Sequence, residues 1–169
     1  MTSILPNDNS LLQGLLNKVI RYRLTRNLDK ALQDREISHA QLSESTGRKG
    51  NWFNRTFNEL EDMRASTLIK SVAAISKILN ERRESSRRKY DPIEITSIIN
   101  EELFEVASVS IDLTIIDIED LLRDNSDLTK FFLKLKVYVD SMKALNNIVS
   151  QEEADAYARV LERINQKER

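Results

Sequence analysis

The sequence predicts an all-α protein, and three observations predict it. Only three Gly and two Pro occur in 169 residues, too few turn formers for a chain of many tight strand connections. Leu, Ile, Glu, Lys, Arg, Ser and Asn dominate, a mixture weighted towards helix formers. Apolar residues recur at three- and four-residue intervals along most of the chain. Hydrophobic residues make up 40% and charged residues 31%, so the chain can bury a core and still carry a strongly solvated surface. Its length suits one domain or two small ones.

Ser10 can cap a first helix whose Leu12, Leu15, Leu16, Val19 and Ile20 form one stripe. Leu24, Leu28, Ala31 and Leu32 continue it to about Glu36, as one long helix or as two with a bend. Ser38 opens a short second helix, and Gly47 stands just past its end. A third helix is expected from about Lys49 to Asn58. Ser66 caps a fourth, with Leu68, Val72, Ile75 and Leu79 at helical spacing. Residues 81–90, ERRESSRRKY, contain no aliphatic side chain and read as a basic linker.

Asp91 and Pro92 suit the N-cap and first position of a new helix, with Ile95, Ile98, Ile99, Leu103 and Val106 on its apolar face. The stretch SVSIDLTIID reads two ways. Val109, Ile111 and Leu113 alternate like a strand, whereas Ile115, Ile118, Leu121 and Leu122 fit a helix from about Thr114. Ser126 caps a long helix to about Asn147, and Ser150 with Glu153 forms a capping box for the last one. On the long helix Leu128, Phe131, Phe132, Leu135, Val139, Met142 and Leu145, with Val137 and Tyr138, span a wide apolar arc. One short neighbour would leave part of that arc for a partner chain, while several helices of the same chain could cover it all.

Net charge is −1, but it is unevenly spread. Residues 1–90 carry 17 Lys and Arg against 10 Asp and Glu, a balance of +7. Residues 91–169 carry 9 against 17, a balance of −8. A basic half favours a polyanionic partner, and an acidic half repels one. The absence of Cys removes disulfides and thiolate metal sites and fits a reducing cytoplasm. No apolar run approaches the ~20 residues that cross a bilayer, and MTSILPNDNS has no basic stretch leading into an apolar one, so no signal peptide is expected.

The stretch QLSESTGRKGNWFNRTF, residues 41–57, gathers the single Trp, two of five Phe and two of three Gly among cations and amides. Leu42-Ser43-Glu-Ser-Thr-Gly47, with Ile37-Ser38 before it and Phe53 six residues after the Gly, resembles the helix-turn-helix of the Cro/repressor-type (XRE) family. The resemblance covers about residues 28–79. Ser43 stands where that family has Ala, Glu36 where it often has Gly, and Ala65 where Pro is frequent. The resemblance implies a helix-turn-helix domain, taken with the N-terminal helix as residues 1–80. The acidic helical half, 91–169, is expected to be the oligomerisation region, because it offers more apolar stripes than a lone basic domain requires.

Phe53 and Phe57 are four apart and share a buried face. Lys49, Asn51 and Arg55 are then expected opposite, with Trp52 and Asn54 at the edges. Arg reads guanine and Asn reads adenine in the major groove. Gly50 would let the start of this helix approach a backbone closely, and Arg48 is a further cation beside it. Ser38 and His39 begin the second helix, where free amides attract phosphate. His39 reads as an exposed residue, either in contact with DNA or not. With no Cys and no clustered carboxylates beside it, this lone His makes no metal site. The run Arg82-Arg83, Arg87-Arg88-Lys89 reads equally as a phosphate contact or a solvated helix end.

Glu101, Glu102, Glu105, Asp117, Glu119 and Asp120 lack a His partner or a Gly-rich loop, so neither an enzyme nor a cofactor is expected. The expected function is a sequence-specific transcriptional regulator, a repressor of a bacterium, phage or mobile element. It would bind double-stranded DNA half-sites in the cytoplasm as a homodimer joined through residues 91–169. Two other readings use the same features: a DNA-packaging subunit like a phage small terminase or a DNA-organising protein, and an anti-repressor or inhibitor whose acidic half mimics DNA.

Overall fold

The computed structural model describes residues 3–85, 93–145 and 148–169. Among them it is all-helical, with no strand. The helices are α1 Asp8–Gln33, α2 His39–Ser45, α3 Trp52–Glu59, α4 Ala65–Ser85, α5 Glu101–Asp112, α6 Ile118–Asp124, α7 Ser126–Lys143 and α8 Gln151–Lys167, with a 3-10 turn at Ile95–Ser97. They form two compact units: Arg21–Leu103, and Met1–Ile20 with Phe104–Arg169. We call them the α2–α4 unit and the α5–α8 unit. The expected division at residues 80–91 therefore falls elsewhere. Residues 1–20 belong with the acidic helices, and 93–103 with the basic ones.

In the α2–α4 unit, Leu28, Ala31, Leu32, Ile37, Leu42, Phe53, Leu68, Ile75, Ile78, Leu79, Ile93 and Ile98 form one buried cluster. Ser38 caps α2 as its sequence suggests: its hydroxyl accepts from Gln41 N at 3.1 Å, and Gln41 Oε1 accepts from Ser38 N at 2.9 Å. Gly47 takes φ +74° just past α2, a conformation that costs most side chains dearly. α4 starts at Ala65 rather than after Ser66, and it runs on to Ser85. The first part of the expected linker is thus helix, while residues 86–92, with Arg87, Arg88, Lys89 and the Asp91-Pro92 cap, lie outside the described residues. Arg82 is no free cation. It donates to Arg35 O at 2.6 Å and Glu36 O at 2.9 Å, tying α4 to the end of α1.

The single helix expected through Ile95–Val106 is broken at Ile98–Asn100. Asn27 Nδ2 takes the Ile98 carbonyl at 2.9 Å, and Asn100 Oδ1 accepts from Leu103 N at 3.3 Å to start α5.

In the α5–α8 unit, Leu12, Leu15, Leu16 and Val19 of α1 are buried, as are Val106, Val109 and Leu113 of α5 and its end. So are Phe131, Phe132, Leu135 and Val139 of α7, and Ala156, Tyr157, Val160 and Ile164 of α8. Residues 108–112 are helix, not strand, and Thr114–Asp117 form a turn before α6. Asn9 fastens that turn: its Nδ2 donates to Leu113 O and Ile116 O, and its Oδ1 accepts from Ile118 N at 2.9 Å. α1 begins at Asp8, two residues before the expected Ser10 cap. Asn125, not Ser126, caps α7, accepting from Asp127 N at 3.0 Å. The Ser150–Glu153 box on α8 is formed as expected. The wide apolar arc of α7 is largely covered within the unit: Leu128, Phe131, Phe132, Leu135, Val139 and Met142 are all buried.

Candidate functional site

α2 and α3 are joined by the turn Thr46–Asn51, and their crossing is fixed by Ser43 and Phe53. Ser43 is fully buried; its Oγ donates to His39 O at 2.8 Å and accepts from Phe53 N at 3.1 Å. Asn51, at the N-cap of α3, makes no side-chain cap bond. The Ser43 hydroxyl therefore satisfies one of the first free amides of α3. At the other end Leu60, at φ +50°, ends α3 and is itself buried.

Phe53 is fully buried, and Phe57 is half-buried with its ring 6.4 Å from Phe53. Outward on α3 stand Asn54, Arg55 and Asn58, all exposed. Asn58 was not singled out by sequence reasoning, although it lies four residues from Asn54 and so on the same face. Lys49, Gly50 and Asn51 precede α3 in the turn, contrary to the expected start at Lys49. The helix begins later because Gly47 turns the chain at positive φ, and Trp52 N then closes onto Lys49 O at 2.9 Å. All three are exposed, but they sit at the end of α3 rather than on its side. An added Cβ on Gly50 would meet only Glu44 Oε1, at 3.7 Å. Its own fold does not require a glycine there.

The flanking residues are more engaged than their exposure suggests. Arg48 donates to Thr67 Oγ1 at 3.0 Å and lies 4.5 Å over the Trp52 ring, so Trp52 is a half-buried shelf for a cation. Arg55 Nε is 3.3 Å from Glu61 Oε1, with both side chains largely solvated. His39 corrects its expected role. Its Nε2 hydrogen-bonds Asp29 Oδ1, its ring meets Phe53 edge-on at 4.8 Å, and only a quarter of the side chain is exposed. A carboxylate can only accept, so Nε2 donates. The signal for this was Asp29 itself, a carboxylate beside Leu28 and Leu32 on the buried stripe of α1, where it must find a partner.

Sequence reasoning also missed Arg26. Its guanidinium stacks 3.5 Å from the Phe57 ring centre and 4.5 Å from that of Tyr22, and it donates to Phe57 O at 3.1 Å. A cleft of about 240 Å³ beside α3 is lined by Arg48, Arg64, Glu61 and Asp62 among others, and so has no single sign of charge. The buried Thr56 hydroxyl, also in its lining, has no hydrogen-bond partner. No group of three or more His, Asp or Glu able to hold a metal ion occurs among the described residues. Among the described residues no helix is long and apolar enough to cross a membrane.

The observed units also soften the charge contrast. Residues 21–103 carry 16 cations against 13 carboxylates, or +3. Residues 1–20 with 104–169 carry 10 against 14, or −4. The acidic positions 91–102 fall in the more basic unit and halve its excess. Comparison with protein-family models, curated proteins and solved structures gives no match for this chain.

Proposed function

We propose that this chain is a sequence-specific DNA-binding transcriptional regulator of the repressor kind, with α2 and α3 as a helix-turn-helix. α3 lies in the major groove, and two copies bind two operator half-sites. The observation that carries this reading is the two-faced build of α3. Phe53 is fully buried while Asn54, Arg55 and Asn58 are exposed together. A short helix anchored on one face and bearing Asn and Arg on the other fits a groove whose base edges those side chains pair with. Lys49 and Asn51 flank its start and suit phosphates, which position a protein without reading sequence. His39 and Ser38 take supporting roles: the first braces Phe53, and the second caps α2. Repression follows by occlusion of RNA polymerase at the bound operator.

Selection of bound sites from a random duplex library tests this. The full chain should enrich paired sites, and Arg55→Ala or Asn58→Ala should flatten the preference at particular base pairs by about 1–3 kcal/mol each. Lys49→Ala should instead weaken binding evenly across sequences and lower the salt dependence. If no duplex is enriched, the regulator reading fails and the inhibitor reading takes its place. A ring of many subunits on DNA would favour packaging.

A further inference from the structure

α5 is apolar on two opposite faces. Leu103, Val106 and Val109, with Leu113 at its end, are buried. On the far side Phe104 is 65% exposed, Ile111 62% and Ile115, just past the helix, 83%. At 100° per residue Phe104 and Ile111 fall within about 20° of one another, a stripe about 10 Å long, and Ile115 follows them in the turn beyond the helix. Between Phe104 and Ile111 the stripe passes only Ala107 and Ser108, small enough to leave it accessible. A helix apolar on all sides is normally covered on all sides. Its outer face lacks a cover among the described residues.

α7 has a second, shorter stripe. Leu133 is 42% exposed and Val137 68% exposed, one turn apart and opposite the buried Phe131, Phe132 and Leu135. The charges beside the two stripes differ in sign. Glu105 and Asp112 lie along one flank of the α5 stripe, and neither is in an ion pair with a described residue. Lys130 and Lys134 lie along one flank of the α7 stripe, likewise without an ion-pair partner among the described residues. Lys136, on the other flank, holds Asp140 at 2.6 Å.

We propose that these stripes are the two halves of a contact with a second copy of this chain, with α5 of one copy lying against α7 of the other. The inference rests on the dimeric reading above and gives it an interface. Charge selects this pairing over its rivals. Two α5 helices face to face would bring Glu105 and Asp112 against their own kind, and two α7 helices would oppose Lys130 to Lys134. The crossed arrangement sets carboxylates beside ammonium groups around an apolar seam, and like charges placed together across a seam cost enough to exclude a partner. Both crossed contacts form at once only about a twofold axis, on which each copy offers what the other offers. A crossed contact made only once would extend into an open chain of subunits.

The chain contains no Cys, so introduced thiols report on this contact alone. Full-length chains carrying Ile111→Cys and differently tagged chains carrying Val137→Cys are mixed, oxidised and run without reductant. The mixed disulfide should dominate over either homodimer, because only facing Cα atoms within about 7 Å can be bridged. Dominant Ile111→Cys homodimers would overturn the crossed arrangement in favour of paired α5 helices. In sedimentation at micromolar concentration the unmodified chain should be dimeric. Lys130→Glu with Lys134→Glu should weaken the dimer about tenfold or more. Mixing those chains with Glu105→Lys, Asp112→Lys chains should restore association. A monomer throughout, or no effect of the reversals, refutes the interface. None of these measurements contains DNA, so failure of the DNA reading leaves their outcome intact. Conversely, a reversed-charge monomer that still binds a single half-site would show that DNA reading survives without this interface.

Discussion

The two units differ in how they partner their charges and in how much apolar surface they leave exposed. In the α2–α4 unit the apolar residues go inward, and cations lie over rings at the surface: Arg26 on Phe57 and Tyr22, Arg48 on Trp52. In the α5–α8 unit carboxylates go inward with Arg and Lys as partners, whereas the buried Asp29 of the α2–α4 unit is met by His39. Asp8, fully buried, is held by Arg159 through two bonds of 2.9 and 2.7 Å, and Glu153 is held by Lys18 at 2.8 Å. Of nine large apolar side chains left exposed among the described residues, seven belong to the α5–α8 unit, while Ile69 and Ile95 belong to the other. One surface therefore offers cations and amides, and the other offers hydrocarbon. The first suits a polyanion and the second an apolar partner, as the proposed DNA and subunit contacts require.

The contrast breaks most sharply at the core beneath α3. Phe53→Ala empties a fully buried site that also supports His39 and Ser43, and should destabilise the α2–α4 unit by roughly 3–5 kcal/mol. Urea unfolding followed by Trp52 fluorescence measures it, since that ring lies 5.9 Å from Phe53. A midpoint unchanged within error would mean that this face of α3 does not hold the unit. The counterpart in the α5–α8 unit is Arg159→Ala, which strands Asp8 without its partner and should cost about 3 kcal/mol.

Asp8 adds a dependence on pH. Burial pushes its carboxyl upward, but the Arg159 hydrogen bonds, the Leu5 amide and the Arg159 charge outweigh that and hold it below its ordinary value of 3.8. A carboxyl lowered on folding contributes stability above its unfolded pKa and loses that contribution as pH falls through the folded value. The melting temperature should therefore drop more steeply below about pH 4 in the natural chain than in Asp8→Asn. Parallel acid profiles for the two would remove Asp8 from the account.

Much of the fold was legible because it was local. The stripes of α1 and α7, the Ser38 and Ser150 boxes and Gly47 each lie within a few residues of the structure they fix. What was not legible depends on distant partners. α1 starts at Asp8, whose carboxylate accepts from Leu5 N at 2.8 Å and is gripped by Arg159, 151 positions away. The break before α5 depends on Asn27, 71 positions from the carbonyl it takes. At the candidate site the inward face of α3 was readable from Phe53, but of the residues expected opposite it only Arg55 stands on the helix, since Lys49 and Asn51 precede it. The engagement of His39 was not readable, because its partner Asp29 lies on another helix.

Smaller effects compare a buried hydroxyl from each unit. Ser43→Ala removes the acceptor for Phe53 N and should cost about 1 kcal/mol, the usual loss for a helix cap. Tyr157→Phe removes a donor to Phe132 O and should cost about the same, because that carbonyl keeps its place in α7. The Tyr157 hydroxyl itself stays protonated at ordinary pH, its pKa raised by burial and then by the charge of Asp140. Thermal melts of both variants decide, and a loss well above 2 kcal/mol in either would point to wider rearrangement.

The smallest change expected has the opposite sign. Glu36 and Leu60 are the only non-glycine residues at positive φ among the described ones, at +56° and +50°. That conformation costs an L residue roughly 1–2 kcal/mol, and glycine adopts it freely. Glu36 is exposed, and its carbonyl receives Arg82 at 2.9 Å, a bond that survives substitution. Glu36→Gly therefore relieves the strain. It forfeits the surface interactions of an exposed carboxylate, which contribute at most about 1 kcal/mol, and roughly 0.5–1 kcal/mol of chain entropy. The net should be near zero to a gain of about 1 kcal/mol, read as a slightly higher melting temperature. Leu60 has almost the same backbone but is 96% buried, at 4% exposure. Leu60→Gly gains the same relief yet loses a packed side chain that contributes about 2–5 kcal/mol, so it should destabilise. If Glu36→Gly lowered stability as much as Leu60→Gly does, backbone strain at the end of α1 would not be the governing factor, and the Glu36 side chain would have to be holding the turn.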